Sequence, residues 1–301
     1  MTGPGVHPYS PISYTSTDGL ALHARDYAPA EGAAQDAGEA RLPVVCIHGL
    51  TRNASDFDAF APRVAALGRR VLAVDVRGRG RSARDPETAH YANRVYAADV
   101  AELMARLHLD RAVFVGTSMG GLITMLLAQQ RLDLVAAAIL NDIGPILSEK
   151  GLARIVSYVG NTGPQPSWEA AAASVRDIHA CAFPDYERAE WDQWARRAFE
   201  PGADGTLVPR YDPAIGDALR DGKLTATSPG LQAAFLKLVQ ARPTLLVHGA
   251  LSDLLEAEQV AWMRTAAHGM AYVEVPNVGH APMLDEPAAW EAIERFLATA
   301  P

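Results

Sequence analysis

The chain has 301 residues, a length that suits one large domain or a domain carrying an inserted subdomain. Its formal net charge is −8, and its richest basic stretch, residues 77–84, alternates with Gly and Ser like a turn. Nucleic acid and anionic membrane surfaces are therefore not expected as partners. Two cysteines, Cys46 and Cys181, are too few for a disulfide framework.

The first eleven residues hold Pro and Gly but no basic segment followed by an apolar core, so no signal peptide is expected. No apolar run approaches the roughly 18 residues a membrane span needs, so a soluble, cytoplasmic location is expected. Residues 13–27 read as two short strands around the turn signal Asp18-Gly19. Residues 28–41 read as a surface loop rich in Ala, Gly and Glu. Short apolar runs then recur at 44–47, 71–74, 112–115, 136–140, 244–247 and 271–275. Runs apolar on both faces suit strands of a parallel sheet covered by helices on each side.

Helical spacing lies between these runs. Val100, Leu103, Met104 and Leu107 share one helix face, as do Trp290, Ile293 and Leu297. The expected fold is α/β, a mostly parallel sheet flanked by helices. The alternation breaks between residues 145 and 241, a stretch dense in aromatics and punctuated by Pro and Gly. It is expected to be a helical insertion, or cap, with a core formed by residues 1–144 and 242–301.

Gly116-Thr117-Ser118-Met119-Gly120 matches G-x-S-x-G, with a strand-like run before it and a plausible helix after it. That context makes the five residues a candidate nucleophile turn, with Ser118 lifted clear of the sheet. The competing reading is a glycine-rich turn whose serine only caps a helix. A serine hydroxyl needs a base to take its proton. Of the nine histidines, His280 stands out in Gly279-His280-Ala281-Pro282, just past the last strand. The histidine needs a carboxylate in turn. Asp253 follows the strand at 244–248 and is taken as that acid, and Asp142, which also ends a strand, is the competitor. The order Ser118, Asp253, His280 is the order known for such turns.

Negative charge developing on a substrate oxygen needs fixed donors. The Leu50 N–H, after His48-Gly49, and the Met119 N–H are the candidates. Arg52 and Asn53 follow closely and are candidate pocket residues. So are Tyr158, Trp168, Trp191 and Trp194 of the insertion, although such aromatics also serve as packing.

With these residues in place the chain resembles the α/β-hydrolase family over roughly residues 12–298. Residues 48–50 resemble its oxyanion strand and 116–120 its nucleophile elbow. Ser252-Asp253 and Gly279-His280 resemble its acid and histidine loops. Asp75-Val76-Arg77-Gly78-Arg79-Gly80-Arg81-Ser82 resembles its D-x-R-G-x-G-x-S turn, expected to be structural. Family members that open epoxides or displace halide carry aspartate as nucleophile, so serine implies acyl transfer. The resemblance implies a hydrolase of a carboxylic ester or lactone, acting on a small-to-medium apolar substrate. Two alternatives are a carbon–carbon bond hydrolase acting on a diketone-like substrate and a non-catalytic ligand receptor. No cofactor is expected and no metal-ligand spacing appears. The oligomeric state is left open.

Overall fold

The computed structural model describes residues 9–30, 41–218 and 226–301. The expected loop at 28–41 therefore falls largely outside the described residues, as does most of the N-terminal stretch. Strands β1 (Ser10–Thr15) and β2 (Ala21–Tyr27) form the expected antiparallel pair. Next come β3 (Val44–Ile47), α1 (Phe60–Ala66), β4 (Val71–Asp75), α2 (Asn93–Arg106), β5 (Ala112–Thr117), α3 (Met119–Gln130) and β6 (Val135–Asn141). Between β6 and β9 (Thr244–Gly249) lie α4 (Glu149–Tyr158), α5 (Trp168–His179) and α6 (Arg188–Ala198). A small hairpin, β7 (Phe199–Pro201) with β8 (Leu207–Pro209), follows them, then α7 (Ala214–Ala218) and α8 (Pro229–Ala241). The chain closes with α9 (Ala257–Ala266), β10 (Ala271–Val275) and α10 (Pro287–Thr299).

The strand order is β1-β2-β4-β3-β5-β6-β9-β10, antiparallel through β2/β4 and parallel from β4 to β10. Alternate residues of each central strand face opposite layers. Val45, Ile47, Phe114 and Leu140 point into a core shared with α2, α3 and α8. Val44, Cys46, Val115 and Ile139 point into a core shared with α1 and α10. Two-sided burial is why these runs carry no polar alternation. Among the described residues no helix is long and apolar enough to cross a membrane.

From β3 the chain turns to one side with β4 and then to the other with β5, so the strand order reverses between β3 and β5. Crevices at such points gather ligands at the carboxyl ends of the strands. The residues between β6 and β9 do not all stand apart from the sheet. Helix α8 packs Ala234, Phe235 and Leu238 into the same core as α3. Helices α5 and α6 pack on each other through an aromatic cluster. Trp194 stacks on His179 at 4.5 Å between centroids, lies 5.9 Å from Trp191 and meets Phe183 edge-on at 5.1 Å.

Candidate active site

Ser118 sits between the end of β5 and the start of α3 with φ 52° and ψ −116°. This backbone is costly for a residue with a Cβ and persists only where packing fixes it. The glycines fix it by letting α3 approach the sheet. A Cβ on Gly120 would lie 2.0 Å from the Ile47 carbonyl oxygen, and one on Gly116 would lie 2.5 Å from the Gly120 backbone. The Ser118 N–H donates to the Asn141 carbonyl on the neighbouring strand at 3.0 Å. The turn is thus clamped from both sides, and the hydroxyl is carried above the strand ends.

His280, only 8% exposed, reaches back from the loop after β10, and its Nε2 accepts from the Ser118 hydroxyl at 2.8 Å. Its Nδ1 lies 2.8 Å from Asp142 Oδ2, so the carboxylate holds the ring with Nε2 free to accept. The acid on His280 is therefore Asp142, and the expectation of Asp253 is corrected. Asp142 is fully buried directly after β6, the strand beside the one that carries Ser118. Its Oδ1 accepts from the Gly249 N–H at 2.9 Å and its Oδ2 from the Ser252 hydroxyl at 2.6 Å. Its φ of 53° is a conformation that aspartate tolerates better than most residues. Asp253 instead faces Arg154 of α4 in a two-point ion pair, with Nη2–Oδ1 at 2.8 Å. Partial burial pushes its pKa up, but bonding to Arg154 outweighs this and holds the carboxyl below its ordinary value. The loop expected to supply the acid supplies the Ser252 hydroxyl that supports it.

The two candidate amide donors are held by side chains. Met119 opens α3, so its N–H has no acceptor within the helix. His48 is fully buried, which drives its pKa down to about 4 and keeps it neutral. The Val76 N–H donates to its Nε2 at 3.0 Å, so its proton is on Nδ1, which donates to the Gly49 carbonyl at 2.7 Å. That carbonyl and the Leu50 N–H belong to one planar trans unit and point in opposite directions. His48 therefore sets the direction of the Leu50 N–H. A Cβ on Gly49 would lie 3.7 Å from the Ser118 Cβ, so this peptide runs beside Ser118.

Arg79 completes the support. Its guanidinium is wholly buried, and among the described residues it has no carboxylate partner. Nε donates to the Leu50 carbonyl at 2.9 Å, Nη1 to the Tyr96 hydroxyl at 2.9 Å, and Nη2 faces the Met119 sulfur at 3.5 Å. One buried cation thus touches both donor residues. The turn resembling D-x-R-G-x-G-x-S braces the site as well as the fold. The sequence carries a signal only in the turn's proximity to a strand end.

A cavity of about 350 Å³ opens over Ser118 and His280. Its walls are mainly aliphatic, with Leu122 and Ile143 from the core side and Leu147, Ile155 and Ile215 from the insertion. Of the expected pocket residues, Arg52 and Tyr158 line it. Asn53 and Trp194 instead line a smaller cavity that shares Arg52, Tyr158 and His179 with the first. Trp168 and Trp191 do not line the Ser118 cavity. Trp168 lies under the Arg196 guanidinium, and Trp191 packs between Tyr186 and Trp194. Those rings are taken up by the insertion's own core, which leaves the aliphatic side of α4 to face the cavity. His179 also lines the cavity, although no motif marks it in the sequence. Burial, and then the charges of Arg52, Arg154 and His280, hold its pKa well below the usual histidine range.

A sequence model of the family described as alpha/beta hydrolase fold matches residues 43–287. The chain belongs to the α/β-hydrolase family. A 3-hydroxybutyrate-oligomer hydrolase of Cupriavidus necator is 37% identical over 81% of this chain and 84% of its own length. A 2-(acetamidomethylene)succinate hydrolase of Mesorhizobium japonicum is 29% identical over 77% of this chain and 79% of its own. The crystal structure of an α/β hydrolase from Novosphingobium aromaticivorans superposes with a TM-score of 0.87 at 37% identity, covering 98% of this chain and 99% of that one. The protein is thus a hydrolase with a mostly parallel sheet.

Among the described residues of this hydrolase one group of side chains has donors suited to a metal ion: Asp18, Asp85 and His90, whose ligand atoms lie within 4.8 Å of one another. The Arg77 guanidinium already bonds both carboxylates and Asp99, so the cluster has its cation in the chain itself. Its place at the turn after β4 makes it a brace for that turn.

Proposed function

We propose that the protein hydrolyses carboxylic esters, lactones included, through an acyl-enzyme on Ser118. The observation that carries this is the 2.8 Å contact of Ser118 Oγ with His280 Nε2, continued at 2.8 Å to Asp142. In the first half-reaction the Ser118 oxygen attacks the ester carbonyl while His280 takes its proton. Charge moves to the carbonyl oxygen, where the Leu50 and Met119 N–H groups stabilise it. Collapse breaks the carbonyl–alkoxy bond, and His280 protonates the departing alcohol. In the second half-reaction His280 deprotonates a water that attacks the acyl carbonyl. Collapse then returns the proton to Ser118 and releases the carboxylic acid. Asp142 stabilises the imidazolium at each stage without taking its proton.

The similarity to a 3-hydroxybutyrate-oligomer hydrolase supports an ester as substrate. The aliphatic walls and the modest volume support a small-to-medium acyl group. A second reading, cleavage of a carbon–carbon bond in a diketone-like substrate, would use the same three residues. The similarity to a 2-(acetamidomethylene)succinate hydrolase, whose substrate name contains no ester, favours keeping non-ester substrates in the test. The test is turnover of short-chain esters, lactones and diketones by the protein and by its Ser118→Ala variant. Ester or lactone turnover that Ser118→Ala abolishes is expected. Turnover of diketones alone would overturn the ester reading, and activity retained in Ser118→Ala would overturn the nucleophile.

A further inference from the structure

The cavity over Ser118 has a one-sided charge. Among the described residues none that lines it is an Asp or a Glu, although the chain carries 35 acidic residues and a net charge of −8. Its lining includes Arg52 and Arg94. Arg52 is neutralised by its ion pair with Asp56, and its guanidinium lies over the Trp194 ring at 4.5 Å.

Arg94 differs. It is exposed in the first turn of α2, and among the described residues it has no hydrogen-bond acceptor or carboxylate partner. The positions three and four residues ahead on the helix, where a carboxylate would pair with it, are Ala97 and Ala98. Its charge is therefore available to whatever occupies the cavity. A concave, largely apolar site with charge of one sign concentrates ligands of the opposite sign. A guanidinium offers a fork of N–H donors that matches a carboxylate.

We propose that the substrate is an ester bearing a free carboxylate, its apolar body against the aliphatic walls and its carboxylate on Arg94. The proposal rests on the reading of Ser118 as the nucleophile, and its test separates the two. Two ester pairs serve as probes, each differing in whether the remote carboxyl is free or a methyl ester, and turnover is read as release of 4-nitrophenol or butyric acid only. The first is the mono(4-nitrophenyl) ester of adipic acid with the methyl 4-nitrophenyl diester. The second is 3-butyryloxybutyric acid with its methyl ester. Together they carry the charge on the acyl side and on the alcohol side of the scissile bond.

The protein is expected to prefer the anionic member of at least one pair by about tenfold in kcat/KM, chiefly through KM. That size follows from a charge-assisted hydrogen bond discounted for exposure. Arg94→Met should bring the ratio close to one, Arg94→Lys should keep part of it, and added salt should shrink it in the unmodified protein. No preference in either pair, or a preference that survives Arg94→Met, would overturn the proposal. Ser118→Ala should abolish turnover of all four esters. If it does not, the nucleophile reading fails whatever the ratio at Arg94.

Discussion

The floor and the roof of the cavity are built on different principles. The floor is made of strand ends: Leu50 after β3, Ser118 after β5, Asp142 after β6 and His280 after β10. Hydrogen bonds from buried or half-buried groups fix each of them, and His48, Arg79, Gly249 and Ser252 supply several. The roof comes from the segment between β6 and β9. It contributes mainly aliphatic side chains and Tyr158 to the cavity, while Trp191 and Trp194 pack on each other outside it. A hydrogen-bonded floor tolerates no change of donor or acceptor, because a buried group left unpaired costs its full desolvation. An aliphatic roof tolerates substitutions that keep its volume. The floor should therefore govern kcat, and the roof KM and chain-length preference.

The sharpest break of this comparison sets Asp142 against Asp253. Asp142→Asn should lower kcat by about 10³–10⁴, because the amide can no longer hold His280 in the accepting tautomer. Asp253→Asn should leave kcat within a few-fold, since it loses only the pair with Arg154. Steady-state rates of the two variants decide it, and the reverse pattern would move the acid to the β9 loop. Next in size is Arg79→Met, which frees the Leu50 carbonyl and removes the cation beneath Met119. Loss of an oxyanion donor costs on the order of 10²–10³ in kcat. A donor misdirected but not deleted should cost about 10–100-fold, with KM little changed. A melting curve shows whether the fold survives.

The roof gives smaller effects. Ile155→Ala enlarges the cavity and should shift preference toward longer acyl chains by several-fold, read from kcat/KM across a chain-length series. Trp168→Ala, outside the cavity, should leave that series unaltered.

A separate effect, on stability and not on rate, is its dependence on pH. His48 and His179 are held neutral in the fold, with pKa values below those of the unfolded chain. The unfolded state therefore binds more protons below about pH 6.5, and stability falls as the solution is acidified. For His48 the fall runs from about 6.5 down to its folded value of about 4. Each imidazole contributes up to about 1.4 kcal/mol per pH unit in that window. Denaturant midpoints between pH 7 and pH 4.5 should drop, and His48→Gln should flatten the slope if it folds.

Much of the floor was legible in the sequence because strand ends announce themselves. The apolar run 44–47 coincides with β3, and the G-x-S-x-G run sits between β5 and α3 as expected. His280 follows the last strand and lies on Ser118. The acid was not legible, because two carboxylates end strands and local pattern treats them alike. Arg154, about a hundred residues from Asp253 in the chain, engages that carboxylate, and adjacency of β6 to β5 delivers Asp142. The roof was less legible for a related reason. Aromatic density predicts burial, but which ring faces a cavity depends on how α5 and α6 pack. Arg79 was hidden in a turn expected to be structural, because its role lies in what its guanidinium touches.

The most direct measurement is covalent labelling. The protein is treated with a fluorophosphonate, digested, and its peptides are weighed by mass spectrometry, alongside the Asp142→Asn and Asp253→Asn variants. A single adduct on Ser118 is predicted, formed at nearly the unmodified rate in Asp253→Asn and far more slowly in Asp142→Asn. An adduct on another residue, or labelling slowed by Asp253→Asn and not by Asp142→Asn, would contradict the account.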